Sequence, residues 1–360
     1  MNKRSFINNH KAILVGLLLV LLVQIIGSSS YLIEQYYLPY FYTPYSKLLR
    51  FIFGWLPFSI GDVLYYLAIC WVLYALYYLV KKIWQKHFTK KIAFALVKKM
   101  LTFALYLYAF FYLAWGLHYN RKSIATTLNI TTTTYNKTDL QQMLTELVSK
   151  INTLAESVVK EENFNFNNIK PFAVKAYSNV AVQYPYLQYT NTSIKKSMFS
   201  LAANYLGFQG YYNPFTGEAQ VNTYLPNFMI PNIMVHEMAH QIGYAFEDEA
   251  SFVGYLAMLK SDNNYLKYSV YFDMFLFASA ELYNRDYKAV DTFVKQLQPI
   301  AKKHLVQFQT YNKQYNTPLA DASNWVYNSY LHANNMPNGI NTYNQVIALV
   351  MAYNRKNNNP

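Results

Sequence analysis

"MVHEMAHQIGYAFEDEASF" (Met234–Phe252) gathers two histidines and four acids into nineteen residues of a 360-residue chain in which only 14% of residues are charged. His236-Glu237-Met238-Ala239-His240 is an H-E-x-x-H pattern. On a helix, positions i and i+4 share a face, so both imidazoles can reach one metal ion. The glutamate between them can hold and deprotonate a water on that ion. With 7 His and 10 Glu in the chain, chance produces the pattern in roughly four such chains per thousand. The bland alternative is a pair of structural histidines on a buried helix. The context favours the metal: "IPNIMVHEMAHQIG" has helical periodicity, with Pro231 near its start and Gly243 as a stop.

A catalytic zinc site needs a third protein ligand and one open position. Cysteine is excluded, because the only one, Cys70, lies in a distant apolar run. A third histidine at the short downstream spacing used by some zinc peptidases would be residue 246, which is Phe246. Glu247, Asp248 and Glu249 open the next helix. Glu247 starts an E-x-x-A spacing, and small Ala250 lets that helix approach the first. Glu249 lies about 200° around the helix from Glu247, so the two do not serve one ion together. Glu247 is the expected ligand and Glu249 the alternative, otherwise supporting a histidine from behind. The competing reading of these acids is favourable charge at a helix N-terminus.

Upstream, "GEAQVN" (Gly217–Asn222) alternates as a short strand after a Pro214/Gly217 turn. Read as an edge strand, Gly217, Glu218, Ala219, Gln220 and Val221 would pair with an extended peptide substrate; the alternative is a plain hairpin. His332 and Tyr343 are further candidate donors to a developing negative charge.

The rest of the chain sets the compartment. Hydrophobic residues make up 53% and aromatics 18%. Three apolar runs, about 12–33, 60–80 and 100–117, are long enough to span a bilayer. A cleaved leader is the competing reading of the first run, which is long for one. Residues 1–117 carry 12 Lys/Arg against 2 acids, whereas residues 118–360 carry 19 against 16. The net charge of +13 thus clusters beside the apolar runs and argues against a nucleic-acid partner. Lys3, Arg4 and Lys11 precede the first run, and seven lysines with no acid lie in residues 81–99. The positive-inside rule then places the N-terminus and the second connection in the cytoplasm, and residues 118–360 outside.

Residues 118–360 read as one domain. "TTLNITTTTYNKTD" (Thr126–Asp139) is a linker ending at a cap, Thr138 or Asp139, before a helix over Leu140–Val159. "NTSIKKSMFSLAANYLG" reads as a capped helix ending at Gly207. From Asn232 onward the pattern is helical, with polar joints near 261–264, 284–286 and 334–341.

Five stretches carry a resemblance: "FGWLPFSIGDVLYYL" (Phe53–Leu67), "AWGLHYNR" (Ala114–Arg121), "GYYNPFTGEAQVN" (Gly210–Asn222), "VHEMAHQIGYAFEDEASFVGYLA" (Val235–Ala257) and "NGINTYNQVIALVMAY" (Asn338–Tyr353). The chain resembles a domain-of-unknown-function family of membrane-anchored proteins, found mainly in Gram-negative bacteria and read as zinc metallopeptidases. The resemblance implies a zincin-like domain of the glutamate-ligand type, with His236 and His240 as ligands and Glu237 as general base. Related peptidases often carry an acid or Asn where this chain has Ser251.

The expected fold is mainly α: three N-terminal transmembrane helices (1–117), then an α+β zincin-like domain with a short sheet (118–360). The expected function is a zinc-dependent peptidase of the bacterial inner membrane. It would cleave a peptide or protein substrate with a zinc-activated water, its catalytic domain facing away from the cytoplasm and its anchor in the lipid bilayer. The alternative is a membrane-tethered binding or envelope-scaffold module with a non-catalytic metal site. An intramembrane protease fits less well, since Pro226, Pro231 and the acids leave the motif run too short to span.

Overall fold

The computed structural model describes residues 3–132, 134–334 and 345–357, with side chains from residue 10 onward. Over these residues the chain is mainly helical, with one three-stranded sheet. It divides into two units that are not consecutive in sequence. The first comprises residues up to Pro44, Ile60–Arg121 and the turn Pro214–Thr216; the second comprises Tyr45–Ser59, Lys122–Asn213 and the chain from Gly217 onward.

The first unit holds three helices long and apolar enough to cross a membrane: Lys3–Gly27 (apolar from His10), Ile60–Trp84 and Lys90–Ala114. Their ends differ from those the hydropathy pattern suggests. The first stops at Gly27 rather than near residue 33, because Ser28 and Ser29 follow and Ser29 caps a new turn at Ser30. The third begins ten residues earlier, at Lys90 under a Thr89 cap. Its lysines are good helix formers, so the helix outruns its apolar stretch. Lys3–Gly27 and Lys90–Ala114 pack together, and a Cβ on Gly16 would stand only 3.0 Å from Leu105 Cβ.

The second unit holds the hydrophobic core. The motif helix (Ile230–Gln241) is buried along its whole length. Around it pack the acid helix (Glu247–Leu259), Phe166–Gln183 and Asn264–Arg285. Asn264–Arg285 also runs against Lys137–Ala155. That helix starts earlier than its apolar pattern, in a capping box between Asn136 and Asp139. Only the second half of Asn191–Gly207 is helical. Ile194–Lys196 is β1, and the helix Ser200–Leu206 ends at Gly207 in a left-handed conformation (φ 80°). The strand wins because its backbone pairs with a distant segment, a gain no local pattern reports.

The sheet order is β1-β3-β2, with β2 at Gly210–Asn213 and β3 at Glu218–Val221. β1 runs parallel to β3 in register Ile194–Ala219, and β2 runs antiparallel to it in register Tyr211–Gln220. The strand read as an edge is therefore the centre of the sheet. β3 is buried at every residue and hydrogen-bonded on both sides, so Gly217–Val221 has no backbone edge for an extended ligand. The edges are β1 and β2.

Candidate metal centre

The motif helix and the acid helix are joined by a turn whose geometry follows from one glycine. Gly243 has φ 93°, the left-handed region a residue without Cβ adopts readily. Gly243 N–H donates to His240 O (2.9 Å) and Tyr244 N–H to Ala239 O (3.2 Å), a Schellman closure. The closure swings the Tyr244 carbonyl back over the helix end, where His240 Nδ1 donates to it at 2.6 Å. That bond fixes the ring so that Nε2 points away from the turn. His236 is fixed likewise, its Nδ1 lying 3.0 Å from Ser251 Oγ on the acid helix. Gly254 lets that helix close in: a Cβ there would meet Val235 Cγ2 at 3.1 Å. Ala250, the small residue one turn earlier, is fully buried as well.

The two imidazoles and Glu247 converge. His236 Nε2 and His240 Nε2 are 3.1 Å apart, and Glu247 Oε2 lies 3.0 Å from the first and 3.4 Å from the second. Four N/O ligands placed tetrahedrally at about 2.0–2.1 Å from an ion stand roughly 3.3 Å from one another. The observed triangle matches one face of that tetrahedron. Among the described residues, His236, His240 and Glu247 form the group able to hold a metal ion. The other carboxylate oxygen of Glu247 accepts from the Tyr327 hydroxyl, on the helix Pro318–Ala333. Glu249 does not join them. It is buried and its Oε1 accepts from Ile124 N–H at 2.7 Å, so the half-turn offset on the helix sends it to fasten another segment. Asp248, its burial pushing it up to about 7, is likewise outside the group.

Burial and charge set the protonation. Burial alone would lower His240, but the Glu247 carboxylate beside it prevails and brings it up to about 9. Burial lowers His236 below its ordinary value. Glu247 is held well below the usual carboxylate range: its burial is outweighed by the charge of His240 and hydrogen bonds from both rings. The cluster thus reads as one carboxylate, one neutral ring and one ring carrying a proton that a cation would displace.

Glu237 sits beside this group with a different environment. Burial pushes its carboxyl up to about 8. Its Oε2 makes no hydrogen bond among the described residues. Its Oε1 lies against the backbone of β2: a Cβ on Gly210 would fall 2.4 Å from Oε1. Gly210 is therefore the seat of the Glu237 carboxylate, and it lies on an edge strand.

A protein-family model, described as a protein of unknown function (DUF3810), matches residues 37–351. The chain belongs to the DUF3810 family. No curated protein and no solved structure matches it. The DUF3810 match encloses both site helices, the whole sheet, the Tyr327 helix and two of the three long apolar helices.

In this DUF3810 chain the structure brings together His236, Glu237, His240 and Glu247. The Gly217–Val221 segment plays a different part from the one its alternation suggested. Gln241 Nε2 donates to Gly217 O (2.7 Å) and Ser193 O (2.9 Å), while Glu218 Oε2 accepts from Ser59 Oγ (3.1 Å). The Gln241 bonds tie the end of the motif helix to the residues that lead into β1 and β3, and the Glu218 bond ties β3 to Ser59. His332 is exposed near the end of its helix, five residues and about 140° around from Tyr327. Tyr343 lies outside the described residues. Sequence reasoning missed Tyr327 and Gly210, whose partners lie 80 and 27 positions away. Ser251, singled out in the sequence because related peptidases carry an acid or Asn there, stands one helical turn after Glu247 and still reaches His236 Nδ1 at 3.0 Å.

Proposed function

We propose that this protein is a membrane-anchored zinc-dependent peptidase of the zincin type, hydrolysing peptide bonds outside the cytoplasm. The observation that carries the proposal is the trio His236, His240 and Glu247 at tetrahedral spacing, with the unbonded Glu237 Oε2 beside it. A divalent ion held there would supply Lewis acidity toward a scissile carbonyl and acidify a water in its open position. The chain's own residues do the rest. Tyr327 and the two rings hold Glu247 forward, while Ser251 and the Tyr244 carbonyl orient the rings. Glu237 accepts a proton at Oε2 and returns it to the leaving amine. Burial raises its carboxyl in the metal-free cluster, and the charge of a bound divalent ion would draw it back to where it takes up a proton near neutrality. A purely structural metal site has no use for a carboxylate so placed. The edge strand beside Glu237, β2, replaces β3 as the surface for an extended substrate.

The anchor fits the same reading. The second unit contains chain from before Ile60–Trp84 and from after Lys90–Ala114. Two crossings by these helices would leave both flanks on one side of a bilayer. By the positive-inside rule, the lysine-rich residues 81–99 favour the opposite side as the cytoplasmic one. The motif helix has 12 residues, too short to span, which speaks for this reading over an intramembrane protease.

The test is metal content and peptide-library turnover of the full-length protein beside Glu237→Gln. The proposal expects one zinc in each and turnover only in the wild type. Equal turnover would refute Glu237 as the base, and metal-loaded wild type without hydrolysis of any library peptide would leave the scaffold reading standing.

A further inference from the structure

The helix Thr43–Gly54 is built inside out. Ser46 and Arg50, one turn apart, are buried. Ser46 Oγ donates to Gln241 O at 3.0 Å, and the Arg50 guanidinium lies 4.9 Å over the Tyr189 ring, whose hydroxyl donates to Gln241 Oε1 at 2.8 Å. The opposite face is apolar and exposed: Leu48, Phe51 (69%), Ile52 and, just past the helix end, Trp55 (77%). At 100° per residue these four occupy a stripe about 100° wide, centred roughly opposite Ser46. Phe58 extends the stripe along the chain. In water this arrangement is upside down, since the polar pair is spent on the interior and the large side chains face outward.

We propose that this face lies in the lipid headgroup region and seats the second unit on the bilayer. Two observations choose lipid as the occupant. Five residues separate Gly54 from Ile60, where a 25-residue helix apolar enough to cross a membrane begins. Five residues reach at most about 18 Å, so the stripe is tethered beside the bilayer whatever its orientation. The second observation is its chemistry. A content of indole, phenyl and branched aliphatic groups with Lys47 at the flank is that of helices lying in the interface plane. Through Ser46 the same helix grips Gln241, the residue after His240, and so joins the metal-compatible cluster to the membrane surface.

Site-directed spin labelling of the full-length protein tests this. In a Cys70→Ser background, Phe51→Cys and Trp55→Cys are labelled and reconstituted into phosphatidylethanolamine–phosphatidylglycerol vesicles. Val159→Cys, exposed elsewhere on the second unit, is the aqueous control. The expected result is several-fold greater accessibility to oxygen than to a water-soluble nickel chelate at 51 and 55, with the opposite order at 159. A nickel-accessible stripe overturns the proposal. So does a stripe closed to both reagents, because a second copy or another protein would then be its cover. Leu48→Cys and Ile52→Cys carry the same expectation should either first variant misfold.

Discussion

A methyl group at position 210 should silence the site while leaving its metal in place. On the observed backbone, an alanine Cβ falls 2.4 Å from Glu237 Oε1, 2.8 Å from its Cγ and 2.9 Å from its Cδ. Ordinary contact needs about 3.5 Å, so the carboxylate must retreat by roughly 1 Å. Gly210 is not among the glycines with positive φ, so alanine suits the backbone and the effect belongs to the added carbon alone. Misplacing a catalytic group by about 1 Å costs on the order of a hundredfold in rate, and crowding a packed interior costs about 1–3 kcal/mol. The His236, His240 and Glu247 contacts do not involve Gly210. Gly210→Ala should therefore fold, bind zinc stoichiometrically by elemental analysis, and turn over peptide about a hundredfold more slowly at saturating substrate. Near wild-type kcat, or loss of zinc from a folded protein, would refute this placement of Glu237.

Glu247→Ala should abolish stoichiometric zinc binding in a chelator competition. Glu249→Ala should keep the metal and lose about 1–3 kcal/mol of stability, because it leaves the buried Ile124 N–H unpaired; the reverse pattern would exchange their roles. Tyr327→Phe removes the hydroxyl on Glu247 and should weaken metal affinity about 10- to 100-fold, while an unchanged Kd would reduce Tyr327 to packing. Affinity should also depend on pH. His240, raised to about 9, holds a proton that the ion must displace, so binding strengthens as pH rises from 6 to 8, by about tenfold per unit. A flat profile in that range would contradict the assigned charge state.

The parts of the site legible in the sequence are those set by local spacing. His236 and His240 are four apart on one helix, Gly243 ends it, and Glu247 opens the next, so the sequence offers the triangle's members with Glu249 left as the alternative third. The half-turn between Glu247 and Glu249 likewise predicted that only one would serve. What could not be read depends on partners remote in sequence. Ile194–Lys196 is a strand because Ala219–Val221 lies beside it. β3 is central because β1 arrives from earlier in the chain, and an isolated alternating pattern does not say how many neighbours a strand has. The polarity of Thr43–Gly54 makes sense only once Gln241 and Tyr189 occupy its polar side. In the sequence it is merely a connection between two apolar runs.

That connection also imposes an order in biosynthetic time. Ser46 lies 195 positions before its partner Gln241, and Ser59 lies 159 before Glu218. At about 5–20 residues per second, the ribosome reaches those partners roughly ten to forty seconds later. In the interval Ile60–Trp84 and Lys90–Ala114 emerge, both long and apolar enough to cross a bilayer. Residues 45–59 then wait on the far flank of two apolar helices for the chain that completes their unit. On the proposed function, metal capture would be a late maturation step that follows insertion rather than synthesis of the ligands. A chain whose Lys90–Ala114 segment is made too polar to insert should accumulate with His236, His240 and Glu247 all present and no zinc bound. In a pulse-chase experiment, wild-type chains should gain protease resistance only after both helices have been integrated.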